Sequence, residues 1–153
     1  MTEEQKPVLT IEKIYVKDLS VEVPHAPGIF LERDAPDVHL ELNAKNQEVG
    51  DDLYEVILTA TLTAKLKEQV MFLVEVQQAG VFRIRHVSKV DIEPVLAIGC
   101  ANIIFPYLRE TVSDAVTRAG FSAVILSPVN FETIYQQQKQ QQTDDNSKAT
   151  NTE

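Results

Sequence analysis

The sequence predicts an α+β domain, a four-stranded antiparallel sheet followed by helices. Three observations carry that prediction. Between Asp52 and Lys67, apolar or small residues occupy every even position (Tyr54, Val56, Leu58, Ala60, Leu62, Ala64, Leu66). This is the alternation of a strand with one dry face and one wet face. After residue 90 the apolar residues recur at helical spacing instead, at Ile104, Leu108, Val112 and Ala115. The whole chain has 153 residues, 44% of them hydrophobic, which suits one ordinary domain with a real core.

The elements follow in order. Residues 1–7 are polar and acidic and are expected to be flexible; they do not resemble a secretory signal. In residues 8–23 the apolar phase runs through Leu9 and Ile11, then Ile14 and Val16, then Leu19, Val21 and Val23. The phase slips twice, so a long strand with a bulge or bend is expected. Pro24 to Pro36 contains three prolines and a glycine and reads as a long ordered loop, with Ile29, Phe30 and Leu31 exposed on it. Val38, Leu40 and Leu42 mark a second strand over 37–44. The third is the alternating segment, with threonines on its wet face. A polar break at Lys67-Glu68-Gln69 leads to Val70, Phe72, Val74 and Val76, a fourth strand closing an antiparallel hairpin.

In the helical half, residues 92–99 suggest a short preliminary helix, and Asn102 is placed to cap the main one. Pro106 should then fall near its first turn, and Gly120 should end it. Asn130 can cap a last helix holding Phe131, Ile134 and Tyr135. Beyond Gln136 glutamines and polar residues dominate, and residues 140–153 are expected to be a disordered polar tail.

Charge and composition exclude several functions. The net charge is −9, and residues 1–55 carry thirteen acidic residues against five Lys or Arg. Such a chain repels nucleic acid and anionic membranes. The acidity either attracts basic partners or only keeps the protein soluble. The sequence contains no apolar run of the roughly 18 residues that would insert into a membrane. The single cysteine, Cys100, allows no intrachain disulfide, and a cytoplasmic location is expected. No phosphate-binding glycine loop, CxxC, HExxH or GxSxG occurs. His25, His39 and His86 lie in different elements without ligand spacing, so no metal is expected. Cys100, at the expected helix start, has a dipole that would lower its pKa, but no base beside it in the sequence. Asp51-Asp52 reads as a turn. Neither a catalytic residue nor a cofactor is expected.

Binding features are more informative. Strand parity puts Asp18, Ser20 and Glu22 on the wet face of the first strand, and Met71, Leu73, Glu75 and Gln77 on that of the fourth. If the two strands are neighbours, carboxylates surround an apolar Leu73. That is either a docking patch or an ordinary solvated face. A surplus of apolar residues near loops and element ends points to an oligomer interface, to grooves for apolar segments, or to both.

At the main helix the residues become recognisable. Cys100-Ala101-Asn102-Ile103-Ile104-Phe105-Pro106-Tyr107-Leu108-Arg109-Glu110, with Gly120-Phe121 and Leu126-Ser127-Pro128-Val129-Asn130-Phe131, closely resembles the SecB protein-export chaperones. Ile14 to Pro24 and Phe72 to Gln78 resemble the same family, and the likeness runs in order from about residue 8 to residue 135. The resemblance implies a bacterial cytoplasmic holdase without ATPase activity, its chaperone domain over 8–139. It implies a homotetramer, a dimer of dimers, that binds unfolded precursors and passes them to the SecA translocation ATPase. In the family a basic, zinc-bearing SecA tail docks on the acidic sheet face, the zinc belonging to SecA. The positions here that match are Asp18, Glu22, Leu73 and Glu75. For the client groove the resemblance implies Ile29, Phe30, Tyr54, Phe105, Tyr107, Phe131 and Tyr135. Relatives often carry a tryptophan late in the long loop, where Asp34-Ala35 stands here; this chain has no tryptophan. Two rivals are a SecB-like chaperone dedicated to a toxin–antitoxin pair and a small ligand-binding or hydrolytic domain using Cys100.

Overall fold

The computed structural model describes residues 5–150. Four strands, β1 (Val8–Glu22), β2 (Asp37–Gly50), β3 (Leu53–Leu66) and β4 (Gln69–Arg85), form one antiparallel sheet in the order β1-β4-β3-β2. The two hairpins, β2-β3 and β3-β4, are sequential. The long loop after β1 therefore carries the chain past two strands to the far edge.

Both expected slips in β1 are register shifts against β4, between Ile11 and Lys13 and between Val16 and Asp18. Each inserts one residue, which keeps Leu9, Ile11, Ile14, Val16, Leu19 and Val21 on one face. The break between β3 and β4 is a two-residue turn. Lys67 and Glu68 both have positive φ, 49° and 71°, with Leu66 paired to Gln69; this is the left-handed geometry whose twist matches a hairpin. Asp52, also at positive φ, sits in the β2-β3 turn, as the reading of Asp51-Asp52 expected. β2 and β4 run longer than their apolar alternation showed. Their distal ends, such as Lys45 to Glu48, take strand form because β3 supplies a ladder for them. In β4, Gly80 admits a close approach: a Cβ there would lie 2.8 Å from the Phe82 ring and 3.1 Å from Ile14 Cδ1.

The helices cover one face. α1 (Lys89–Pro94), a π-helical stretch (Val95–Cys100) and α2 (Ala101–Arg118) form one uninterrupted rod. This corrects the expected boundary. Ser88, in extended conformation, stands at the N-cap position, and its hydroxyl donates to Asp91 Oδ2 at 2.8 Å. Asn102 is therefore inside the helix and caps nothing. Pro94 and Pro106 are both helix residues, and neither breaks the rod; the π stretch begins directly after Pro94, a usual place for a helix to widen. By length and composition alone this rod could cross a membrane, but Leu96, Cys100, Ile104, Leu108, Val112 and Val116 are buried against β3 and β4. It is the core helix of the domain. At its end the Gly120 N–H donates to Thr117 O and the Phe121 N–H to Val116 O, with Gly120 at φ 97°. That is the left-handed helix stop expected there.

α3 (Phe131–Thr150) begins where Asn130 Oδ1 accepts from the Thr133 N–H at 3.1 Å. It continues through residues 140–150, where a structureless tail was expected. Glutamine, lysine and alanine have good helix propensity and need no packing to continue a helix already started. Residues 140–148 are all exposed. Residues 1–4 of the expected flexible N-terminus and residues 151–153 of the tail lie outside the described residues.

Candidate protein-binding surfaces

Three aligned rows make up one end of the sheet face without helices. Glu22, Leu73, Thr63 and His39 face one another across the four strands. Ser20, Glu75, Thr61 and Glu41 form the next row, and Asp18, Gln77, Thr59 and Asn43 the third. Asp18, Glu22, Leu73 and Glu75, separated by some fifty residues of sequence, are thus brought together. Leu73 and Glu75 are half-buried on this face, while Asp18 and Glu22 on the edge strand are exposed. Glu41 adds a carboxylate that sequence reading missed, although its odd position in β2 was the available signal. Met71 does not belong here: it is buried, at the bulge where Lys65 pairs with Val70 and Ala64 with Phe72. The extra residue breaks the parity on which its placement rested.

The same face holds a buried acid. Glu55 is 6% exposed and accepts from the Tyr15 hydroxyl, from Lys17 Nζ at 3.0 and 3.1 Å, and from Gln47 Nε2 at 2.8 Å. Burial pushes its pKa up, but the hydrogen bonds from Tyr15, Lys17 and Gln47 and the lysine's charge outweigh that, and the carboxyl sits below its ordinary range. Tyr15 is pushed up to about 12 by burial, by its bond to Glu55 and by that carboxylate's charge. Three strands, β1, β2 and β3, are tied across the small Ala79 of β4.

On the helix side the seven expected groove residues are divided among four places. Phe105 and Phe131 meet edge-on, 5.8 Å between centroids, both buried. Arg109 lies over the Phe105 ring at 5.0 Å while donating to Leu126 O. Phe131 and Tyr135 line a cleft of about 80 Å³ between α3, the start of the rod and β2, with Ala44, Val56, Leu96 and Ile134. Ile29 and Phe30 lie at the other end of the rod. Ile29, expected to be exposed, is buried at 3% and pins the loop to the core. Phe30 remains half exposed and stacks on Phe121 (5.2 Å), which in turn meets Phe72 (4.9 Å). Leu31 beside it is 83% exposed. Tyr54 is apart from both groups, near Ile84, His86, Val87 and Ile92. Tyr107 is exposed on the rod one turn before Thr111, whose hydroxyl donates to Gln78 Oε1.

One apolar strip was not anticipated. Leu9, Ile11, Val16, Leu19 and Val21 all point to the helix side of β1, yet each is 40% exposed or more. The edge strand overhangs the rod, which packs on β3 and β4. Cys100, expected at a helix start with a lowered pKa, is in the middle of the rod and fully buried; burial pushes its thiol up to about 12. It has none of the exposure or electropositive surroundings of a nucleophile.

Comparison with known proteins agrees with this arrangement. Residues 2–142 match the SecB family, described as preprotein translocase subunit SecB. The chain is 62% identical over 139 residues to the protein-export protein SecB of Nitrosospira multiformis, covering 91% of this chain and 87% of that one. It is also 62% identical over 146 residues to the SecB of Nitrosomonas europaea, covering 94% and 91%. Among solved structures, a SecB-like chaperone of Mycobacterium tuberculosis, in complex with a peptide from an antitoxin, superposes with a TM-score of 0.65 at 17% identity, over 80% of this chain and 91% of that one. That last likeness shows the fold. A family match over nearly the whole chain and relatives this close in sequence settle the family: the chain is a member of the SecB family of protein-export chaperones.

Proposed function

We propose that this chain holds unfolded precursor proteins without ATP and delivers them to the SecA ATPase, using opposite faces of one sheet for the two tasks. The observation that carries this reading is the separation itself. Carboxylates around Leu73 occupy the bare face, while the aromatic side chains and the cleft lie on the helix side. A partner docking on one face need not displace a client from the other.

The acidic rows suit a basic partner such as the SecA tail, with Leu73 as the apolar centre and Asp18, Glu22 and Glu75 around it. For clients, Phe30, Tyr107 and Tyr135 present accessible ring surface, with Leu31 and Phe121 beside the loop. Ile29, Phe105 and Phe131 form the wall behind them, and Tyr54 offers a separate contact. Where relatives carry a loop tryptophan, Asp34 here forms an ion pair with Lys67 at 3.6 Å, so Phe30 and Leu31 supply the loop's apolar contact. Each buried apolar side chain is worth about 1.5–3 kcal/mol, and several weak sites engaged by one long client add through effective concentration. The exposed apolar strip on β1 supports assembly of copies into a dimer of dimers, working in the bacterial cytoplasm. No covalent step is required of Cys100.

Light scattering tests the central claim. A denatured export precursor diluted into buffer should aggregate less when this protein is present, without nucleotide, and multi-angle scattering should give a tetramer. Unchanged aggregation together with a monomer would refute the reading; capture of an antitoxin but of no export precursor would replace it with the dedicated-chaperone alternative.

A further inference from the structure

The bulge after Val16 puts two oppositely charged neighbours, Lys17 and Asp18, on the same bare face of β1. Lys17 is therefore a cation inside a surface whose docking role, as proposed above, depends on being acidic. Its ammonium is held at both oxygens of Glu55, 3.0 and 3.1 Å away. In the register Glu55 lies in the Val81 row, whereas Glu75 lies toward the opposite end of β4, with the Lys17 bulge between the two. The lysine thus points along the sheet away from Glu75. Its side chain is 40% exposed and that of Glu55 only 7%. Glu55 is too buried to meet a partner itself.

An exposed lysine ordinarily exchanges among nearby carboxylates, because each such pair is worth little in water. A buried carboxylate whose other lone pairs are already satisfied is a different partner: the attraction is less screened, and Tyr15 and Gln47 hold the acceptor in place. We infer that Glu55 is a positioning residue for the docking face, keeping Lys17 away from Asp18 and Glu75 so that a basic partner meets those carboxylates unneutralised. With Glu55 uncharged, the carboxylates left to Lys17 on that face are Glu12, already paired with Arg83 at 3.0 Å, then Asp18 and the Glu75 row. The inference rests on the docking role proposed for the bare face.

The test is calorimetric titration of the full chain with SecA at low salt. Glu55→Gln should weaken docking by about five- to tenfold, and adding Lys17→Gln to the same chain should restore it. Glu55→Gln with Lys45→Gln removes a different cation from the same face, opposite Ile57; it matches the rescued variant in charge and should stay weak. Wild-type affinity for Glu55→Gln, or equal rescue by Lys45→Gln, would overturn the inference. Should Glu55→Gln fail to fold, Tyr15→Phe loosens Glu55 with all charges kept, and its smaller loss should again be recovered by Lys17→Gln; no loss there overturns it too. Glu75→Lys separates the two readings. If it leaves SecA affinity unchanged, the docking face itself is wrong; if it abolishes docking while Glu55→Gln does nothing, only the positioning role is.

Discussion

The two faces of the sheet are made by the same four strands and differ in almost everything else. On the helix side Val56, Leu58, Leu62, Val74, Val76, Phe82 and Ile84 are at most 2% exposed beneath one rod. On the bare side the same strands show threonines, carboxylates and half-buried Leu73, held together by one buried acid. Among the described residues, Gln78 is the one buried polar side chain on the helix face; it donates to Tyr15 O and accepts from Thr111. The difference teaches a division of labour: folding energy is concentrated on one parity of residues, leaving the other free to carry charge. A substitution on the first should change stability, and one on the second should change binding.

That contrast can be broken in several places. Phe82→Ala removes a fully buried ring between β4 and its neighbours and should cost about 3–5 kcal/mol in urea unfolding; a cost below about 1 kcal/mol would mean the helix face is not the folding core. Glu75→Lys should weaken SecA docking by about 2–3 kcal/mol, read by calorimetry, yet shift the urea midpoint by no more than about 0.5 kcal/mol. Loss of fold in that variant would erase the distinction between the faces. Gly120→Ala forces a side chain into φ 97° with its Cβ 3.0 Å from the Phe30 ring. About 1–2 kcal/mol of destabilisation is expected, along with altered client capture as the loop shifts; unaltered stability would mean that the helix stop tolerates a side chain.

The buried acid gives the contrast a pH signature. Glu55 titrates below its ordinary 4.5 in the folded chain. Its stabilisation is therefore complete above that value and disappears as the pH falls through the lower folded pKa. The gap in urea midpoint between wild type and Glu55→Gln should be wider at about pH 7 than at about pH 3; an unchanged gap would show that the network is not ionic. Tyr15 works at the other limit: raised from 10.0 to about 12, it stabilises fully below 10.0 and loses that contribution as the pH climbs toward about 12. The smallest effect concerns Cys100, whose alkylation in the folded protein should be far slower than in urea, since burial suppresses both access and the thiolate.

How much of this was legible in the sequence depends on whether a feature is periodic. The alternation in β3, the two slips in β1, the helix stop at Gly120 and the Asn130 cap are local signals, and each stands where the residues indicated. The distal ends of β2 and β4 were not legible, because Lys45 to Glu48 and Gln78 to Gly80 owe their strand form to a partner strand. The start of the rod was misplaced because Pro106 suggested a first turn, whereas a helix can carry a proline in its interior. Glu55 looked like one more wet-face residue; nothing local says that Tyr15 and Lys17, about forty residues earlier, close over it.

What the sequence determined by itself is the class of fold, the phase of each strand and the sign of the charge, since these follow from residue type at fixed spacing. The tertiary structure decided which strands are neighbours, and so which charges share a face. It also decided that Ile29 is an anchor where exposure was expected, and that Cys100 is buried within the rod. These depend on atoms brought together from distant parts of the chain, where burial and partners, and not residue type, set the free energy.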